Sequence, residues 1–463
     1  MKWRLIPVLT AATVLAGCAV GPKYQRPAVV PPAAFRGAAP SPDPASLADA
    51  KWFEVFQDEQ LQQLIRMALQ ENYDVREAVA RVEAARAAVG IRRADQFPNV
   101  AAGADLTTLR TSSTGTIPFE QERSFGSVAL NLLSFEVDVW GRLRRSTEAA
   151  RAELLASEEN RRAVMTTLVS DVATGYFNLL DLDMELEIAR RTLATREDSL
   201  ELIRKREQRG LATRLEVRQA EQLVLVAAQA IPRLEQQIEQ TENQISLLLG
   251  RNPGPIARGR ALRDQEQPPA VPAGLPSALL ERRPDIRAAE QNLVAANAII
   301  GVARAAYFPR ISLTGFLGFQ SDDLSDLFTG PARTWQFTPQ LAQPIFTAGR
   351  IRSNVRLAEA QRNVALIQYE RAIQTAFREV SDSLVQYEKV REVRGKQEEL
   401  VETLRDRSRL SYMRYRGGVD TLLNALDADR DLFDAELRLA QVRRDELLTV
   451  VQLYRALGGG WQQ

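Results

Sequence analysis

The chain has 463 residues, 26% of them charged and 45% hydrophobic, which places it among folded proteins and outside the disordered and collagen-like classes. Sixty bases against 59 acids leave a net charge of +1, too small an excess to favour nucleic acid. Histidine is absent and Cys18 is the only cysteine, so Ser-His-Asp and Cys-His catalysis, the usual zinc sites and any disulfide framework are excluded.

The first element is a leader. Lys2 and Arg4 precede an apolar stretch from Leu5 to Ala16 that is too short to span a bilayer, and Leu15-Ala16-Gly17 puts small residues directly before the thiol of Cys18. Residues 1–17 therefore read as a signal peptide that resembles a bacterial lipoprotein signal, which implies cleavage before Cys18 and acylation of that residue. An ordinary secretory signal with a chance cysteine is the alternative. Ala19, rather than Asp, after the thiol is compatible with export to the outer membrane in the usual lipoprotein sorting pattern. Residues 18–51 are Pro-rich and read as an extended tether with no core of its own. No later stretch offers 18 uninterrupted apolar residues, so any membrane crossing must be made by β-strands.

From residue 52 the chain repeats itself. Phe97-Pro98 recurs as Phe308-Pro309, Gly141-Arg142 as Gly349-Arg350, Gly210 as Gly418, Thr213 as Thr421 and Gly250 as Gly458. One small shift between Pro98 and Gly141 reconciles these spacings, which predicts two copies, 52–250 and 277–458, around a Pro-rich linker at 251–276, with a tail at 459–463. Each copy opens with a helix carrying apolar residues at 3,4 spacing: Val75, Ala78, Val82, Ala85 and Val89, then Ile286, Ala289, Leu293, Ala296 and Ile300. The helix must stop before Pro98 or Pro309.

A hairpin follows in each copy, at 100–137 and 311–346. In the second, Ile311, Leu313, Gly315, Leu317 and Phe319 alternate with Ser312, Thr314 and Gln320, the period of a strand with one apolar face. Pro339 and Pro344 count against the fourth strand. Each strand has the length that a tilted transmembrane strand needs, although a small soluble sheet over a helical core fits the same pattern. Four strands cannot close a lumen, and open edges in lipid leave backbone groups unsatisfied, so a membrane role demands several copies.

The longest features are helical hairpins at 142–249 and 350–457. Between Arg142 and Arg209 there is no proline, and Met165, Leu168, Val172, Leu179, Leu182, Leu186, Ala189, Leu193, Leu200 and Ile203 keep a 3,4 seam interrupted only by Gly175 and Arg196. Pro232 predicts a kink in the first return helix, and Arg190, Arg191, Glu197 and Asp198 read as solvated faces. No phosphate cradle, dinucleotide motif or EF-hand loop is present, so no enzymatic role, metal or cofactor is expected.

The lipoprotein cysteine, the duplicated helix, hairpin and long helical hairpin, the Phe-Pro pairs, and the turns Arg209-Gly210-Leu211-Ala212-Thr213 and Tyr415-Arg416-Gly417-Gly418-Val419-Asp420 resemble the TolC-type outer-membrane efflux family, the outer membrane factors. The lipoprotein branch that serves resistance-nodulation-division pumps is the nearest in pattern. The resemblance implies a mainly α protein with a small β part, whose homotrimer closes one 12-stranded transmembrane barrel continued by a periplasmic helical tube. It implies a passive conduit for small molecules, with a periplasmic adaptor, an inner-membrane pump and outer-membrane lipid as partners. Carried over residue by residue, it makes Tyr415, Asp420, Asn424 and Asp427 gate candidates. Asp420 stands where some members have Arg, and Asn424 where they have the first constriction carboxylate. Gly210, Leu211, Thr213, Gly417, Gly418 and Val419 become adaptor-docking turn candidates, and Leu313, Leu317 and Phe319 lipid-facing ones. The gate residues also fit a plain reading as turn and cap residues. A non-conducting periplasmic scaffold and a periplasmic adaptor are the alternatives in function.

Overall fold

A computed structural model describes residues 19–37, 46–110, 122–265, 274 and 276–461; Cys18 and the predicted signal lie outside these residues. The first helices, α1 (Trp52–Val55), α2 (Glu59–Glu71) and α3 (Tyr73–Ala94), lead to strands β1 (Val100–Arg110) and β2 (Glu122–Glu136). The long pair α4 (Arg142–Gln208) and α5 (Arg214–Leu248) follows, and the order then repeats as α6 (Pro276–Arg282), α7 (Pro284–Ala305), β3 (Arg310–Ser321), β4 (Arg333–Ala342), α8 (Arg350–Arg416) and α9 (Leu422–Ala456). Helices α4 and α8 each hold 67 residues, about 100 Å at roughly 1.5 Å per residue. Among the described residues no helix is long and apolar enough to cross a membrane.

The described residues form two compact units. One, drawn from 19–28, 81–158 and 288–370, holds an antiparallel sheet in the order β1-β2-β3-β4. Small residues let α4 and α7 approach closely there, Ala149 and Ala152 meeting Ala295 and Ala298 with every one buried. The stretch from Ala19 to Arg26 is extended as predicted, but it is strapped down. Val20 N–H donates to the Trp140 carbonyl at 2.9 Å, Asn297 Nδ2 to the Pro22 carbonyl at 3.0 Å, and Tyr24 and Arg26 bind Glu290 at 3.1 and 2.8 Å. The Val20 amide, the Pro22 carbonyl and two side chains of this extended segment thus find fixed partners far along the chain.

The second unit, from 29–80, 159–287 and 371–461, is built around the α4 seam. Leu61, Leu64, Ile65 and Ala68 of α2 pack with Val172, Tyr176 and Leu179 of α4, Ile245 of α5, and Val451 and Tyr454 of α9. The 251–276 segment is also more than a linker, because Ile256 and Leu262 are buried in this core and Arg258 is held by Asp183 at 2.9 Å and by Glu242. Helix α5 continues through Pro232 without a break between Arg214 and Leu248. Strand β4 ends at Ala342, short of the expected 346. Pro344, having no N–H, lies past its end, while Pro339 is tolerated because β4 is an edge strand.

Candidate functional site

The register sorts the sheet into two faces. Leu317 lies opposite Leu130 of β2 and Trp335 of β4, Leu313 opposite Phe135 and Pro339, and Phe319 opposite Val128 and Arg333. Directly paired residues share a face, so Leu130, Leu132, Trp335, Phe337 and Leu341 join the predicted Leu313 and Leu317. Leu317, Leu130, Trp335 and Phe337 are all exposed. Phe319 is on the same face, with its ring 5.8 Å from that of Phe328. Opposite lie Ser127, Asn131, Ser312, Thr314, Gln336, Thr338 and Gln340. One face is mainly apolar, with Arg333 at its margin, and the other mainly polar, with Phe125 and Phe316 as its apolar members. The outer edges of β1 and β4 have no partner strand among the described residues.

At the other candidate site the two helical hairpins turn alike. Gly210 and Gly418 both have φ of +73°, and in each turn the next N–H reaches back to close the helix, Leu211 to the Arg206 carbonyl at 2.8 Å and Val419 to the Arg414 carbonyl at 3.1 Å. Glycine carries this left-handed step without a Cβ penalty. Gly417 lies inside the turn without positive φ. Leu211 and Val419 are exposed at the tips. Thr213 caps α5 in a reciprocal box with Glu216, whereas Thr421 makes no side-chain cap.

In the second turn the polar contacts gather on Asp420, just before α9. Its Oδ1 accepts from Thr421 N–H at 2.8 Å and Asn424 Nδ2 at 2.7 Å, and Oδ2 accepts from Arg414 Nε at 3.1 Å. Asn424, then the Thr421 amide and Arg414, hold the Asp420 carboxyl below its ordinary range. Asp427, one turn on, is partly exposed and lies 3.5 Å from Arg430. Tyr415 is 5% exposed, and Arg206 of the other hairpin covers its ring at 4.8 Å. Its hydroxyl makes no hydrogen bond within the described residues, and burial pushes the phenol above its usual value. Tyr415 therefore joins the hairpins of this chain through its ring face and not through a hydrogen bond.

The sequence pattern of the outer membrane efflux protein family matches residues 64–251 and again 275–459. The chain belongs to the outer membrane efflux protein family. It is 39% identical to the probable efflux pump outer membrane protein TtgC of Pseudomonas putida, over 100% of this chain and 97% of the relative. It is 38% identical to the outer membrane protein OprJ of Pseudomonas aeruginosa, over 99% and 96%. The open-state structure of the MtrE outer membrane channel of Neisseria gonorrhoeae superposes with a TM-score of 0.88 at 34% identity, covering 96% of this chain and 99% of that one. The mainly helical class with a small four-stranded β part is shared with these family members. A periplasmic adaptor, kept open on the sequence alone, is replaced by the family's outer-membrane channel.

Two buried features of this chain escaped the sequence reading. Asp58, 3% exposed, caps α2 through the amides of Gln60 and Leu61, and also accepts from Tyr176 Oη at 3.1 Å, Arg260 N–H at 3.0 Å and Gln265 Nε2 at 2.8 Å. The other is Arg196, whose guanidinium is buried against Asp429 with N–O 2.7 Å and lies 4.9 Å over the Phe433 ring. Its break in the α4 seam was the only local signal.

Proposed function

We propose that three copies of this chain close a 12-stranded barrel in the outer membrane and form the passive exit channel of a tripartite efflux system for small molecules. The observation that carries the reading is a four-stranded sheet with one apolar face and two unpaired edges in a chain whose long helices pack as paired hairpins. Unpaired backbone in lipid costs several kcal/mol per group, and pairing the edge of β4 with that of β1 in a neighbouring copy removes the cost. The relatives named as efflux pump outer membrane proteins support the same role. A periplasmic adaptor docks on the turns around Gly210 and Gly418 and an inner-membrane resistance-nodulation-division pump drives export, since the chain has no energy-coupling motif of its own. Phe-Pro and Gly turns at matching positions support reading 52–250 and 277–458 as tandem repeats.

The purified trimer is expected to conduct ions in planar bilayers; a trimer that inserts without conductance would identify a scaffold instead. Three copies of Asp427 around the threefold axis form an acidic ring, so Asp427→Ala is expected to lower cation preference and divalent-cation block. Unchanged selectivity would place the constriction elsewhere. Cys18 is the acylated N-terminus in this reading, and the mature mass should equal the chain from Cys18 plus its acyl groups. A free thiol, or a start upstream of Cys18, would refute the anchor. Acylation adds to barrel insertion rather than replacing it.

A further inference from the structure

Within the second unit, α4 and α9 face each other along a ladder of polar side chains. Arg444 Nη1 donates to Asp181 Oδ2 at 2.7 Å, Gln441 Nε2 to Glu185 Oε1 at 2.8 Å, Arg191 Nη2 to Glu436 Oε2 at 2.5 Å and Arg196 Nε to Asp429 Oδ2 at 2.7 Å. The numbers rise on α4 as they fall on α9, as antiparallel packing requires. The end rungs are the most enclosed: the side chains of Asp181 and Arg196 are 1% and 2% exposed. Arg196 is further fixed by Nη1 donating to the Leu223 carbonyl of α5 at 3.0 Å and by the Phe433 ring.

Past Arg196 towards the Gly210 and Gly418 turns the ladder ends. Among the described residues no ion pair or side-chain hydrogen bond joins α4 to α9 there. The contact is an apolar cluster of Leu200, Ile203, Leu422, Ala425 and Leu426 with Tyr415. Apolar contacts are non-directional and re-form after a slide, whereas parting a buried ion pair leaves uncompensated charge. The two stretches of one helix pair thus differ sharply in what separation costs.

We propose that the Arg196–Asp429 pair is the pivot of the tip: when the passage widens, α4 and α9 part only between this pair and the Gly turns, and move as one body from it back to Asp181–Arg444. The proposal rests on the channel reading above. It places the moving segment at residues 197–211 of the first hairpin and 418–428 of the second.

Two disulfide staples in the full-length trimer test it in planar bilayers. Leu200→Cys with Ala425→Cys crosses the apolar tip stretch, and Ala189→Cys with Ala440→Cys crosses the ladder, where both alanines are buried in one cluster. Thiol titration reports closure of each staple. The oxidised tip staple should abolish opening and reduction should restore it, while the oxidised ladder staple should leave the open fraction unchanged. Loss of opening by the ladder staple, or normal opening with the tip staple closed, overturns the pivot. A reduced, inserted trimer that never conducts overturns the channel reading and the pivot with it.

Should a staple not form, charge variants decide. Asp429→Asn removes the buried pair that stops the parting, so the parting should run on past residue 196 to the next rung and raise the open-state conductance. Asp181→Asn, at the far rung, should not change it. Equal effects of the two overturn the proposal.

Discussion

Leu317→Arg is expected to destabilise the inserted sheet by about 2–4 kcal/mol if the side chain lies near the bilayer midplane, whereas Thr314→Arg, on the opposite face, should be mild. Leu317 sits between Leu130 and Trp335, so a guanidinium there would enter the middle of an apolar surface with no carboxylate in the rows beside it. Thr314 is opposite Thr338 on the polar face, where an added charge meets polar neighbours and, in a closed barrel, water. Folding yield into lipid vesicles and urea unfolding of the vesicle-bound protein measure both. Equal tolerance at the two positions would show that the apolar face does not meet lipid. Trp335→Arg should behave like Leu317→Arg, because the register and not the spacing within β3 puts it in the same row.

Asp58→Ala is expected to cost about 3 kcal/mol or more, since it removes one buried acceptor that serves three backbone amides, a tyrosine and a glutamine. Tyr176, fully buried, would be left without that acceptor, and the 259–265 segment would lose its anchor to α2. Burial alone would raise the Asp58 carboxyl, but the hydrogen bonds from Gln265, Leu61, Arg260 and Tyr176 outweigh it and hold the group below its ordinary 3.8. The sign follows from linkage. A carboxyl depressed in the folded state contributes its stability above 3.8 and loses it as pH falls through its lowered folded value. Thermal melts of the detergent-solubilised protein from pH 7 to pH 3 should therefore show an acid-side loss that Asp58→Asn reduces. A melting temperature unchanged in Asp58→Ala would show that the hub is dispensable.

The amino-acid sequence by itself determined the elements whose causes are local. Helix α4 runs from Arg142 to Gln208 where the proline-free 3,4 seam predicted it, and β1, Val100–Arg110, begins where the first hairpin was predicted to begin. Gly210 and Gly418 take the left-handed step because no other residue takes it at so little cost. Duplication, too, was legible, since spacing between like residues needs no structure. Only the tertiary structure decided the partners. Arg196 was visible as a break in an apolar seam, yet Asp429 lies 233 residues away. Asp58 was a possible helix cap, but Tyr176, Arg260 and Gln265 reach it from separations of 118 to 207 residues. Trp335 and Leu317 became neighbours through the β3–β4 register, and the N-terminal segment found Glu290 only once α7 was in place. Periodicity and turn chemistry are written within a few residues, whereas a buried charge is paired by whichever distant segment the packing brings beside it, and that choice belongs to the whole fold.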